Sequence, residues 1–347
     1  MTRRFFTGAE EADLTLVWDS PVTLGGSNQV GSPNFGITDL VTWQPRTGRG
    51  MFCISSTERL RNKLLDNPNE LYVGLAFRTP SALAQGFVLL FWTNVQEDYS
   101  QYMGLQLQAD GSLTLNRSGT GIATCPAATM VVNTWYYVEA WLKPRNTSGR
   151  FVVKIDGVIP TNFDFTGDTT NGQEYINAYE FRGVATTTLA SFDDIVVNDT
   201  SGSYNNSWPG MVRLLPIRPA SAGNYATWNR GGVDMGDAAA QLRNGTFDFS
   251  TLDTPSSDNK HTFVPEKPDL PANAAIQNIL LNSKARITSG SGFIAPMIRA
   301  NGTDDIATKS ALLSSWKFYQ KAWPINPNTS GSWVEADIAN LEIGISS

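Results

Sequence analysis

One histidine and two cysteines in 347 residues remove several chemistries at once. A structural zinc site takes three or four Cys or His ligands, and Cys53, Cys125 and His261 are all the chain has. The cysteines sit in no CxxC pair and are too few for a disulfide scaffold. Both read as small buried residues, with a single bridge between them left open. A nucleophilic triad needs a base beside its nucleophile. His261 lies in the polar stretch Asp258-Asn259-Lys260-His261-Thr262, which predicts an exposed loop, and no GxSxG surrounds any serine.

Charge is also scarce. The chain carries 26 basic and 32 acidic residues, 17% in all, for a formal net charge of -6, where an average soluble chain has about 25%. This excludes nucleic acid as a partner, because phosphate binding needs clustered Lys and Arg. The longest clear apolar run, residues 87–92, is far short of the ~20 needed to span a bilayer, so no membrane partner is expected. Met1-Thr2-Arg3-Arg4-Phe5-Phe6 is followed by Gly8, Glu10, Glu11 and Asp13, which is no signal peptide; a soluble cytoplasmic product is expected. Gly25-Gly26 does not stand between a strand and a helix, so no phosphate loop is present. No repeat of about 20–50 residues suggests a solenoid or propeller.

What is present is alternation. Hydrophobic residues make up 41% and aromatics 11%, enough to build cores and exclude wholesale disorder. Val73, Leu75 and Phe77 alternate with Gly74, Ala76 and Arg78, and residues 87–93 form a continuous apolar strand. Leu105 and Leu107 lead into Asp110-Gly111, and Leu113 and Leu115 return; Asp-Gly is a strong hairpin signal because both residues tolerate positive φ. In residues 134–143, Trp135, Tyr137 and Trp141 share one face, with Tyr136, Val138, Ala140 and Leu142 on the other. Strands at 151–156 and 192–197 follow, while 58–65 reads as a short helix or an irregular loop. Short strands with polar turns predict an antiparallel sandwich.

The turn-rich run 198–207 marks a seam, placed near Gly202. Beyond it, 212–217 reads as a strand interrupted by Pro216, 231–271 as long loops, and 276–287 as helix or strand. Residues 293–299 and 316–322 read as strands. Ser332-Trp333-Val334-Glu335 matches a capping box and predicts a short helix ending about Asn340, then a strand through Leu341, Ile343 and Ile345.

Few residues offer chemistry. Sandwich glucanases carry E-x-D-x-x-E on one strand; Glu11-Ala12-Asp13 and Glu335-Ala336-Asp337 both lack the third acid. The adjacent pair Asp193-Asp194 should point to opposite faces of a strand. One of them is a candidate Ca²⁺ ligand; the alternative is pairing with an Arg or capping backbone amides. No other cofactor is expected. Trp92, Tyr102 and Trp141 are candidates for stacking on sugar rings, with core packing the alternative for the same residues, as for Trp135 and Tyr137. Trp208, Trp228, Trp316, Trp323 and Trp333 read as packing residues or interface anchors.

Three segments in order carry a family resemblance: Thr134-Trp135-Tyr136-Tyr137-Val138-Glu139, then Val152-Val153-Lys154-Ile155-Asp156-Gly157, then Phe192-Asp193-Asp194-Ile195-Val196-Val197-Asn198-Asp199. They resemble the concanavalin A-like or laminin-G-like jelly roll, in the form found in minor tail or structural proteins of tailed-bacteriophage virions. Trp208-Pro209-Gly210, Trp323-Pro324-Ile325-Asn326-Pro327 and the stretch from Trp333 to Ile345 resemble the second domain of those proteins. The resemblance implies an all-β chain. Residues 1–202 would form the jelly roll, and 203–347 a smaller β-sandwich-like assembly domain with one short helix. It implies a non-catalytic structural part of a tail, neck, baseplate or head decoration. Its partners would be other virion proteins and copies of itself, and it would be made in the host cytoplasm without a signal peptide. It transfers no sugar site and no catalytic residue. A lectin-like module that attaches to host surface glycans is the alternative, and a glycoside hydrolase the remote one.

Overall fold

The computed structural model describes residues 3–7, 46, 52–54, 59–64, 66–93, 101–170, 173–184, 190–215, 217–227, 229–231, 251–253, 259–271, 274–315 and 317–347. Glu11, Asp13, Gly25, Gly26, Trp228 and Trp316 lie outside the described residues, as does the side chain of Cys53. The chain divides into two compact units, Met1–Leu215 and Pro216–Ser347.

The first unit contains β1 (Arg3–Thr7), β2 (Phe52–Ile54), β3 (Arg59–Lys63), β4 (Leu71–Arg78), β5 (Gly86–Trp92), β6 (Tyr102–Leu107) and β7 (Leu113–Arg117). It continues with β8 (Thr120–Thr124), β9 (Tyr136–Lys143), β10 (Gly149–Ile155), β11 (Asp164–Gly167), β12 (Ala178–Arg182) and β13 (Ala190–Asp199). These make two antiparallel sheets. One runs β1-β13-β4-β9-β10-β11, with β2 also on β13; the other runs β3-β12-β5-β6-β7-β8. Strands distant in sequence lie side by side, as β13 does between β1 and β4, which is the crossing pattern of a jelly roll. Period-two alternation builds the core: Val73, Leu75 and Phe77 of β4, Val138 and Leu142 of β9 and Val153 of β10 meet Leu89, Phe91, Leu105 and Leu115 of the second sheet. The Asp110-Gly111 hairpin joins β6 to β7 as the alternation predicts, with Leu107 opposite Leu113. Cys125 is buried and forms no disulfide, so the single bridge left open in the sequence is not made.

Three local expectations change. The stretch 58–65 holds β3 rather than a helix or loop, because Leu60 and Leu64 reach the core while Arg61 pairs across to Glu180 on β12. Residues 212–215 form no strand. The seam falls later than Gly202, since 203–215 packs on the first sheet: Asn198 Nδ2 donates to the Ser207 carbonyl (3.0 Å) and the Leu214 amide donates to Asp194 (2.8 Å). Gly74 makes this contact feasible. A Cβ there would sit 2.5 Å from the Tyr137 hydroxyl oxygen and 3.1 Å from the Pro209 ring, so the glycine lets the chain lie close on the sheet.

The second unit contains β14 (Pro219–Ala226), β15 (Asn229–Gly231), β16 (Thr251–Asp253), β17 (Lys260–Pro265), β18 (Ile279–Ala285), β19 (Phe293–Ala300), β20 (Thr303–Ile306), β21 (Ser310–Ala311), β22 (Lys317–Trp323), α1 (Glu335–Ile338) and β23 (Leu341–Ser346). Its main sheet runs β14-β17-β23-β19-β20, with β21 also on β19; β18 and β22 form a separate ribbon, as do β15 and β16. The core joins Ile298, Ala300 and Leu341 of the sheet to Ile279, Trp323, Trp333 and Ile338, as the packing reading of the last two tryptophans implies. Trp333 Nε1 donates to the Trp323 carbonyl (2.8 Å).

Here the sequence misplaces two features. The expected loop 231–271 contains β16 and β17, and His261 on β17 is 5% exposed. Backbone pairing to β23 and contact with the Phe263 ring (4.8 Å) bury it, and neither is visible in local polarity. The helix is capped two residues later than expected: Val334 is the N-cap and its amide donates to Asp337 (3.0 Å), so Ser332 plays no part.

Candidate functional site

The outward face of β4, β9 and β10 carries a cluster of aromatic rings. Side chains alternate along a strand, so the residues between the core positions of β9, namely Tyr137, Glu139, Trp141 and Lys143, all leave the core together. Trp141 faces Tyr72 of β4 directly across the ladder. The two rings are nearly parallel, 4° apart with centroids at 5.6 Å. Trp208, from the segment that follows β13, meets both edge-on, at 5.6 Å from Tyr72 and 6.3 Å from Trp141. Trp141 and Trp208 are half-buried, so ring edges reach solvent while the pairs keep their geometry.

Charged groups frame these rings in matched pairs. The Arg150 guanidinium lies over the outer face of Trp141 (5.2 Å) and bonds Asp164 of the edge strand β11 through two nitrogens, at 2.7 and 2.5 Å. Those bonds hold Asp164 below the usual carboxylate range. Lys154 Nζ sits 3.9 Å above the Trp208 ring. Glu70 accepts from Trp141 Nε1 (3.2 Å) and pairs with Lys143 (3.2 Å). Glu139 is buried and accepts the Gly210 amide (2.8 Å). Burial pushes its carboxyl above the ordinary value, against the opposing pull of that hydrogen bond and of Lys154.

Of the three aromatics expected to stack on sugars, only Trp141 belongs to this surface. Trp92 and Tyr102 are brought together, ring centroids 5.3 Å apart, but on the other sheet, turned away from the main core. Trp92 is 2% exposed, its ring flanked by the guanidinium groups of Arg61 (5.4 Å) and Arg182 (5.8 Å), and its Nε1 donates to Glu180 (3.3 Å). The three therefore form no single site. Tyr72 escaped the sequence reading, and Trp208 read only as a packing residue or interface anchor. Tyr72 was legible as an outward position one step before Val73, whereas Trp208 sits in a segment whose path depends on Gly74 and Glu139.

Asp193 and Asp194 do not simply point to opposite faces. A bulge follows Asp193, and Asp194 takes a positive φ of 48°. Both then reach one residue: the Arg46 amide donates to Asp193 (3.0 Å) and Arg46 Nη1 to Asp194 (2.6 Å). Arg pairing and amide capping, the alternative to metal ligation, are what the geometry displays. Among the described residues no three His, Cys, Asp or Glu side chains gather as a metal site.

No protein-family model matches the chain, and no curated protein matches it. Solved structures similar to it include domain 4 of AbnA, a GH43 extracellular arabinanase from Geobacillus stearothermophilus, in complex with arabinotriose. That match has 13% identity and a TM-score of 0.38, covering 57% of this chain and 94% of that one. The carbohydrate-binding module CBM66 from Bacillus subtilis matches at 10% identity and a TM-score of 0.32, over 51% and 100% of the two chains. The Caenorhabditis elegans galectin LEC-6 matches at 16% identity and a TM-score of 0.31, over 43% and 96%. At these values no residue or ligand of theirs transfers to this chain.

Proposed function

We propose that the chain is a non-catalytic carbohydrate-binding protein whose first unit contacts glycans through the Tyr72–Trp141–Trp208 surface. The observation that carries this reading is an aromatic cluster in which the half-buried Trp141 and Trp208 rest on buried Tyr72, ringed by paired acids and bases. Aromatic rings suit the apolar face of a pyranose, and the rim supplies donors and acceptors for its hydroxyls. Arg150 covers the open face of Trp141, but its bond to Asp164 joins two groups 43% and 39% exposed. Such surface pairs contribute about 0–1 kcal/mol, so a ligand displaces the guanidinium at small cost.

Hydrolysis is not part of the proposal. Retaining cleavage needs two carboxyls about 5.5 Å apart, one of them protonated and open to substrate. Glu139, the acid here with a raised pKa, lies buried under Gly210. As the setting for this binding we propose a tailed-phage particle, with other virion proteins and copies of the chain as partners. Its support is the resemblance of the three motifs in the first unit and the C-terminal stretches. Absence of the protein from purified particles would refute the setting without touching the glycan reading.

The test is titration against a panel of bacterial surface oligosaccharides, read by tryptophan fluorescence and calorimetry. Wild type binds at least one, Trp141→Ala weakens it about tenfold or more, near 1.4 kcal/mol, and Arg150→Ala retains it. No binding at millimolar ligand, or a Trp141→Ala variant that binds like wild type, would overturn the proposal.

A further inference from the structure

The main sheet of the second unit is curled. β14 and β20 are its two edges, yet Tyr225 on β14 donates its hydroxyl to Asp304 on β20 (2.9 Å). Lys260 on β17 also reaches Asp304, at 2.7 Å. Polar side chains meet across the face of this sheet opposite Ile298, Ala300 and Leu341, which join the core. Every strand contributes: Asn224, Thr262, Glu342, Arg299 and Asp304 run across the sheet, with Tyr225 and Lys260 beside them. Thr262 Oγ1 and the Asn224 amide donate to Glu342, at 2.6 and 2.8 Å, and Arg299 Nη1 donates to Asp304 (2.6 Å).

At the end of this curl, beside the β19–β20 turn and the junction of α1 with β23, lies a cleft of about 450 Å³, lined by Asn224, Val264, Arg299, Asn301, Asn340 and Glu342 among others. That volume is in the range of small-molecule sites, which favour the mouths of curved sheets and barrels. We infer that the cleft is a binding site for a small, uncharged, polyhydroxylated ligand the size of a monosaccharide. The inference is independent of the aromatic surface on the first unit.

Three features set the ligand class. The ionisable side chains that line the cleft balance, Arg299 against Glu342, so neither an anion nor a cation is favoured. Donors and acceptors are interleaved. Arg299 commits Nη1 to Asp304, while its Nε stands 3.9 Å from Glu342 and its Nη2 lies beside Gly302. The Asn301 and Asn340 side chains are exposed at the rim and offer both kinds of group. A hydroxyl donates and accepts at once, which suits such an array better than a carboxylate or an ammonium does. Val264 supplies an apolar wall for the C–H face.

Calorimetric titration of the full chain with D-glucose, D-galactose, D-galacturonate and D-glucosamine tests this. At least one neutral hexose should bind saturably. Both charged sugars should bind about tenfold more weakly, the scale of one mismatched hydrogen-bonded charge. Glu342→Gln should lower affinity about tenfold, and Asn340→Ala, at an exposed position that leaves the fold intact, should also weaken it. Each titration is repeated in Trp141→Ala, which removes binding by the first unit from the signal. The inference is overturned if no neutral hexose saturates at tens of millimolar, if the charged sugars bind as well, or if folded Asn340→Ala binds like wild type. Loss of hexose binding in Trp141→Ala alone would overturn it too, by assigning the event to the first unit.

Discussion

Arg61 and Glu180 face each other on neighbouring strands with both side chains at 0% exposure. Arg182 bonds the other oxygen of the same carboxylate, and Trp92 Nε1 shares the first. Desolvating such charges is costly, and their mutual attraction offsets the cost only while every partner stays in place. Replacing one partner leaves a buried charge uncompensated. Glu180→Gln should therefore destabilise the protein by about 3–5 kcal/mol, measured by chemical denaturation. Arg61→Met combined with Glu180→Leu should cost less than either single change, because no charge is then stranded between them. A single-variant loss under about 1 kcal/mol would show the cluster to be solvated. The same scale separates the two halves of the sugar-stacking expectation. Trp92 and Trp141 are both outward tryptophans on alternating strands. Only their neighbours make one a sealed core member and the other part of an open surface, and those neighbours come from β3, β12 and residues 203–215.

Hairpins and bulges work at the scale of the element. Gly111 has φ near 79°, and a Cβ on it would lie 2.2 Å from the Met130 carbonyl oxygen. Gly111→Ala combines left-handed backbone strain with a backbone clash. It should destabilise by more than about 1 kcal/mol and lower the melting temperature, whereas Gly119→Ala meets nothing within 4 Å and pays only for its φ. Equal melting temperatures for the two variants would refute the clash. The Asp110-Gly111 turn was readable because its cause is local. The bulge at Asp193-Asp194 was not, since it is set by Arg46, 147 residues away, and by the Leu214 amide. β17 was missed for the same reason: Lys260, His261 and Thr262 read as loop until β23 pairs with them.

For the molecule as a whole, two buried titratable groups give stability opposite pH dependences. Burial lowers the His261 pKa below 6.5. Its unfolded form binds a proton more readily, so stability is full above pH 6.5 and is lost as pH falls toward the folded value. Burial raises the Glu139 pKa above 4.5 despite Gly210 and Lys154. Its contribution is greatest below pH 4.5 and declines as pH rises through the folded value. Thermal melts across pH 4–8 should show the decline below pH 6.5 reduced in His261→Phe, and the decline above pH 4.5 reduced in Glu139→Gln, which keeps the acceptor for Gly210. Unchanged slopes in both variants would mean that neither group titrates with unfolding.

Alternation, turn residues and composition by themselves determined that the chain is all-β, that the first unit is an antiparallel sandwich and that a short helix precedes the last strand. Each of these follows from neighbours one to four residues apart. They also put Trp135, Tyr137 and Trp141 on one face of a strand, without deciding whether that face looks inward or outward. Only the tertiary structure decided which outward faces stay open. It buried Trp92, Glu139 and His261, laid 203–215 over the first sheet, and curled the second unit's sheet so that Tyr225 meets Asp304. Burial and charge pairing are properties of contacts between strands far apart in sequence, and no local pattern encodes them.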